Sequence, residues 1–230
     1  MKDIFLVDAD DTILNFHGAA EKAIEAAFAQ NGAEWKTEYM QCYREMNAKL
    51  WEALERKEIT REWLMAQRFP LFLKELGIGL DGEAFNRVYI EHLSTHPIYF
   101  DGAQEFLQEL GKMGRVFIVT NGTESIQRSR FDISKLWSYA EDVFISETTG
   151  FDKPAKGYTD YVAAHIDGFD YGRAVWIGDS LSADIKAANE GNITSIWFNP
   201  HEKPVTSIAS PDYKAKDFAE ILEILRRING

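Results

Sequence analysis

Ile4-Phe5-Leu6-Val7-Asp8-Ala9-Asp10-Asp11-Thr12 opens the chain with four apolar residues that break off at a run of acidic ones. A short, uninterrupted apolar run of this kind is the pattern of a strand buried on both faces. Similar runs recur late, at Val116-Phe117-Ile118-Val119, Val143-Phe144-Ile145, Ala174-Val175-Trp176-Ile177 and Ser195-Ile196-Trp197-Phe198. Helix-length segments lie among them: Ala103 to Leu110, Ser182 to Glu190 with Gly191 as its C-cap, and Phe218 to Ile228. Alternating strands and helices predict an α/β protein, a doubly wound, Rossmann-like parallel sheet covered on both faces.

The first strand is separated from the others by a long stretch, from about Asn15 to Thr95, with helical periodicity and almost no strand signal. Tyr39, Tyr43, Met46, Leu50 and Leu54 fall on one helical face, and Phe85, Val88, Tyr89 and His92 do the same behind Asp81, a candidate N-cap. The reading is an all-helical insertion, residues 15–95, set into a core made of residues 1–14 and 96–230. His96-Pro97 is the return point.

Composition narrows the function. The 230 residues carry 25 Lys and Arg against 37 Asp and Glu, a net charge of −12, which argues against a nucleic-acid polymer as partner. A single cysteine, Cys42, excludes an intramolecular disulfide framework and a cysteine-based zinc cluster. The opening apolar run is too short for a signal-peptide core, and no stretch approaches the ~18 apolar residues of a membrane span. The expectation is a cytoplasmic protein, without membrane partners, acting as a monomer or homodimer.

In open parallel sheets, ligands bind beyond the carboxyl ends of the strands. Those ends carry Asp8, Asp10 and Thr12; Thr120-Asn121-Gly122; Lys153-Pro154 after the Val143 run; and Gly178-Asp179, with Asp184 close behind. Clustered carboxylates without Cys or His suit a hard cation with oxygen ligands, Mg²⁺ in particular. A carboxylate attacking a phosphate dianion faces like-charge repulsion, which a divalent cation and a lysine offset. A lone Asp after a strand more often caps a turn, and Asp11 is read that way.

These four elements, in this order and spacing, resemble the motifs of the haloacid dehalogenase superfamily of phosphohydrolases over nearly the whole chain. The insertion after the first motif resembles that family's type-one helical cap. A closer resemblance is to bacterial pyrimidine 5'-nucleotidases acting on ordinary and modified deoxynucleotides, through Asn47-Ala48-Lys49-Leu50-Trp51, Ile59-Thr60, Arg68-Phe69 and Thr120-Asn121-Gly122. Lys57-Glu58 departs from it, where a small turn residue is expected.

The resemblance implies a Mg²⁺-dependent phosphomonoesterase, with Mn²⁺ able to substitute, working through an aspartyl-phosphate. It implies Asp8 as nucleophile, Asp10 as acid and base, and Thr120 and Lys153 as catalytic groups on the phosphoryl oxygens. Asp8, the backbone carbonyl of Asp10 and Asp179 would hold the metal, and Asp184 would orient Lys153 or a metal-bound water. Asn121, Gly122, Asn47 and Arg68 are expected to bind substrate, a small phosphate monoester such as a pyrimidine nucleoside 5'-monophosphate. Trp51, Trp63, Phe69 and Phe72 are read as packing residues before stacking platforms. Two other readings stand beside this one: a phosphoglycolate or sugar-phosphate phosphatase, and a catalytically silent module that binds a phospho-ligand.

Overall fold

A computed structural model describes residues 1–206 and 208–230, the side chain of Glu55 excepted. Six strands form one sheet: β1 (Ile4–Val7), β2 (Arg115–Thr120), β3 (Asp142–Ile145), β4 (Ala174–Gly178), β5 (Thr194–Phe198) and β6 (Tyr213–Ala215). All neighbours are parallel, in the order β3-β2-β1-β4-β5-β6. That is the Rossmann order, whose direction of winding reverses beside β1 and leaves a crevice at the carboxyl ends there. Five strands coincide with the apolar runs of the sequence. The sixth, Tyr213-Lys214-Ala215, is too short and too polar to announce itself.

The helices are α1 (Phe16–Gln30), α2 (Tyr39–Glu55), α3 (Arg61–Glu75), α4 (Gly82–Thr95), α5 (Ala103–Met113), α6 (Glu124–Ser134), α7 (Ser146–Thr149), α8 (Lys156–His165), α9 (Lys186–Glu190) and α10 (Phe218–Asn229). Period-two alternation along β1 divides the core into two layers. Phe5 and Val7 pack with Phe106, Leu107 and Leu110 of α5 and Ile221, Ile224 and Leu225 of α10. Ile4 and Leu6 face the other side, with Tyr158 and Val162 of α8 and Ala187 and Ala188 of α9. All four β1 residues are buried, so the apolar run has no polar member because it has no wet face.

A π-helical turn, Leu181–Ile185, precedes α9. Gly191 is the C-cap of α9, as the sequence reading has it, with φ −85°, and the residue after it, Asn192, takes the left-handed conformation, φ 51°. Asn tolerates that conformation better than most residues.

The chain divides into two compact units, Met1–Phe16 with Pro97–Gly230, and His17–His96. In the helical unit, Thr60 caps α3 by accepting from the Trp63 amide, and Asp81 caps α4 by accepting from Glu83 and Ala84. Phe69 and Phe72 are fully buried among Phe28, Tyr43, Phe85 and Tyr89, so both are packing residues. The two tyrosine hydroxyls of Tyr43 and Tyr89 satisfy each other at 2.9 Å. Lys57 adopts φ 60° in the turn where a small residue was expected, a left-handed conformation that costs a lysine more than a glycine.

Where the chain leaves the α/β unit it also returns. The Asn15 amide donates to the Ile98 carbonyl at 2.8 Å, the Phe100 amide to Ile13 at 3.0 Å, and Leu14 bridges Tyr99 in antiparallel sense.

Candidate active site at the strand ends

Val7 is in register with Ile118 on one side and Ile177 on the other, so Asp8 is the first residue past the edge between β2 and β4. Its amide continues the ladder by donating to Ile177 at 2.9 Å, which fixes the backbone from which the carboxylate projects. Asp8 Oδ2 accepts from the Thr12 hydroxyl at 3.1 Å and Oδ1 from Lys153 Nζ at 2.6 Å. Thr12, the last residue of the opening motif, thus acts on the carboxylate one turn behind it.

Lys153 is 2% exposed. Its ammonium donates to Asp8, to the Val119 carbonyl at 3.0 Å and to Asp184 Oδ1 at 2.7 Å, using all three protons. Burial opposes the charge, but the Asp184 and Asp8 carboxylates outweigh it and hold the ammonium protonated above the ordinary lysine range. Asp184 is oriented by the Ser180 amide at 3.1 Å and the Trp176 indole at 3.2 Å. Gly178 makes that possible, since a Cβ there would lie 2.3 Å from the Asp184 carboxyl carbon.

Asp8, Asp179 and Asp184 bring carboxylate oxygens within 4.8 Å of one another. Burial, then the neighbouring carboxylates of Asp184 and Asp10, push Asp8 up to about 8 against the pull of Lys153. Desolvation and the charges of Asp11, Asp8 and Asp184 raise Asp179 well above the usual carboxylate range. Carboxyl groups crowded together in this way ionise fully only beside a further cation, and an all-oxygen donor set of this kind fits Mg²⁺. The Asp10 side chain is not in this group.

Asp10 faces another way. Its Oδ1 receives Arg130 Nη1 at 2.6 Å and its Oδ2 receives Gln127 Nε2 at 2.8 Å. Gln127 Nε2 also donates to the Thr120 hydroxyl at 2.9 Å. Neither Gln127 nor Arg130 is among the residues expected from the sequence. Their stretch, Ser125-Ile126-Gln127-Arg128-Ser129-Arg130, is polar at every position but one, yet both are 1% exposed. The spacing of three residues on α6, shortly after Thr120, is the signal that was there to be used.

Asn121 and Gly122 directly follow β2. Both polar atoms of the Asn121 amide are engaged with the Lys153 backbone, donating to its carbonyl at 2.8 Å and accepting from its amide at 2.7 Å. Asn121 therefore ties the lysine loop to the end of β2. Gly122 has its own reason for lacking a side chain: a Cβ would stand 2.3 Å from Cγ of Gln127. Asn47 and Arg68 lie in the helical unit. Arg68 is 2% exposed, with its guanidinium 4.9 Å from the Phe69 ring centroid and 4.8 Å from that of Tyr89. Asn47 Oδ1 and Arg68 Nε are buried without a hydrogen-bond partner among the described residues.

Residues 2–192 match the family model of haloacid dehalogenase-like hydrolases. The chain is 34% identical over 220 residues to YfnB of Bacillus subtilis (strain 168), a HAD-hydrolase by its name, covering 96% of this chain and 94% of that one. It is 32% identical over 221 residues to the pyrimidine 5'-nucleotidase PynA of Streptococcus pneumoniae, covering 96% and 93%. To the pyrimidine 5'-nucleotidase YjjG of Escherichia coli it is 25% identical over 225 residues, covering 97% of each. The solved structure of YfnB bound to magnesium matches with a TM-score of 0.91 over 97% of this chain and 98% of that one.

Proposed function

Because the chain belongs to the haloacid dehalogenase-like hydrolases, we propose that it is a Mg²⁺-dependent phosphomonoesterase acting on pyrimidine nucleoside 5'-monophosphates. The observation that carries the chemistry is Lys153, buried and bonded to both Asp8 and Asp184, with Asp179 completing a carboxylate group. The likeness to two pyrimidine 5'-nucleotidases supports the substrate class.

Asp8 attacks phosphorus and forms an aspartyl-phosphate, while Asp10 gives a proton to the departing sugar oxygen. An alkoxide leaves poorly, so that proton matters. Asp10 then takes a proton from the water that releases phosphate. The Lys153 ammonium, giving up one of its three present acceptors, and the Thr120 hydroxyl hold phosphoryl oxygens, and Asp184 with Asn121 keeps Lys153 in place. Asp8, Asp179 and the Asp10 carbonyl would hold Mg²⁺, or Mn²⁺ in its stead. When bound, the cation supplies neutralisation of the phosphoryl and carboxylate charge.

Discrimination between esters falls to the inserted helices, residues 15–95, in the role of a cap, with Asn47 and Arg68 as contacts to the leaving group. Their unpartnered buried polar atoms support that assignment, as does the need of a base and sugar for a few fixed hydrogen bonds. A cytoplasmic setting belongs to the same reading, and among the described residues no helix is long and apolar enough to cross a membrane.

The test is phosphate release from nucleoside monophosphates, sugar phosphates, phosphoglycolate and p-nitrophenyl phosphate, with Mg²⁺ and with EDTA. Preference for dUMP or dTMP is expected. Indifference to the base would replace the nucleotide reading with the small-phosphate one, and silence on every ester would leave a binding module.

A further inference from the structure

Gln127 and Arg130 have no part in the scheme above, yet they connect two of its members. We propose that they are positioning residues which hold the Asp10 carboxylate and the Thr120 hydroxyl in one hydrogen-bonded frame, aligning proton transfer with phosphoryl binding. This rests on the phosphomonoesterase reading.

The bonding pattern leaves little freedom. A primary amide nitrogen has two protons, and Gln127 Nε2 spends them on Asp10 Oδ2 and Thr120 Oγ1. Its Oε1 accepts from Arg130 Nη1 at 2.7 Å, which sets the amide the right way round, because a flipped amide would turn its oxygen towards the Asp10 carboxylate. The same Nη1 donates to Asp10 Oδ1. Both Asp10 oxygens are thereby fixed. Thr120 Oγ1, as an acceptor from Gln127, keeps its own proton to donate elsewhere, which is what a phosphoryl oxygen requires. Gly122 leaves the space in which the Gln127 stem lies.

Stability does not explain the arrangement. Arg130 is a buried charge whose Nε and Nη2 have no hydrogen-bond partner among the described residues. Buried unpaired donors lower stability, and an apolar side chain of similar length is often better tolerated than such an ion pair. Asp10, at 27% side-chain exposure, could be solvated without Arg130. A costly cation kept against one half-open carboxylate is better accounted for by the alignment it gives.

The test uses Arg130→Met and Gln127→Met, followed by thermal melting, steady-state kinetics on dUMP or dTMP, and rapid-mixing kinetics on p-nitrophenyl phosphate. Misalignment of a catalytic group is expected to cost about 10²-fold in kcat on the nucleotide, with KM changed less and the Arg130→Met melting temperature not lowered. p-Nitrophenolate leaves without a proton, so aspartyl-phosphate formation should slow only by what a released Thr120 hydroxyl costs phosphoryl binding, while its hydrolysis, which needs Asp10 as base, slows by more. The variants should therefore show a burst of about one p-nitrophenolate per enzyme before slow turnover. Nucleotide kcat within threefold of wild type in both variants would overturn the proposal. So would a first p-nitrophenyl phosphate turnover that falls as steeply as the nucleotide rate. If Arg130→Met does not fold, the stability argument is wrong and Gln127→Met decides the kinetic one. A wild type inactive on every ester would overturn the phosphomonoesterase reading first, and this inference with it.

Discussion

Replacing Lys153 by Met keeps the length of the side chain and removes the cation that separates Asp8 from Asp184. In the metal-free protein Asp8, with a pKa of about 8, already holds a proton at pH 7. The variant therefore has one further buried carboxylate, Asp184, without its charged partner. Breaking a buried ion pair by removing one partner costs roughly 3–5 kcal/mol. At ~2–4 °C per kcal/mol for a chain of this size, the melting temperature should fall by about 6–20 °C at pH 7. Scanning calorimetry of both proteins in EDTA reads this directly. A loss under 2 °C would refute the view that Lys153 is there to balance those carboxylates.

Mg²⁺ should compete with the proton on Asp8. Burial raises that pKa in the folded state above its unfolded value, so the metal-free protein keeps a proton the unfolded chain releases, and stability falls as pH rises from about 4 to about 8. The rise in melting temperature on adding Mg²⁺ should accordingly be larger at pH 8 than at pH 5; a shift that shrinks with pH contradicts it. Asp8→Asn should abolish turnover while leaving the fold intact, and Asp10→Asn should slow the reaction by ~10²–10⁴ with Mg²⁺ still stabilising the protein. Gly122→Ala places a methyl 2.3 Å from the Gln127 stem, so kcat should drop with little change in melting temperature, as measured on the same sample.

Much of this was legible because parallel sheets write themselves plainly. Ile4-Phe5-Leu6-Val7 needs no polar residue, since helices cover both its faces, and the residue that follows such a run is placed at the edge where ligands bind. Asp8, Thr120 and Asp179 follow from that rule alone. Lys153 does not lie on a strand, and its approach to Asp8 depends on the Asn121 amide gripping its backbone, a contact across 32 positions that no local pattern encodes. Gln127 and Arg130 were hidden for a different reason. Helical periodicity marks buried faces by their apolar residues, and here the buried face of α6 carries a glutamine and an arginine between Ile126 and Phe131. A face that buries polar residues for alignment breaks the pattern by which buried faces are recognised.

The paired backbone at Ile13–Asn15 and Ile98–Phe100 also says something about how such a protein can change. The helical unit hangs from the α/β unit by two segments held 2.8–3.0 Å apart in hydrogen-bond distance, so its departure and return occupy a single address on the fold. An insert of almost any length or sequence can occupy that address while the strand order and the ring of carboxylates stay as they are. What the insert carries can then drift, be shortened or be exchanged wholesale, while the groups at the strand ends inherit none of the disturbance.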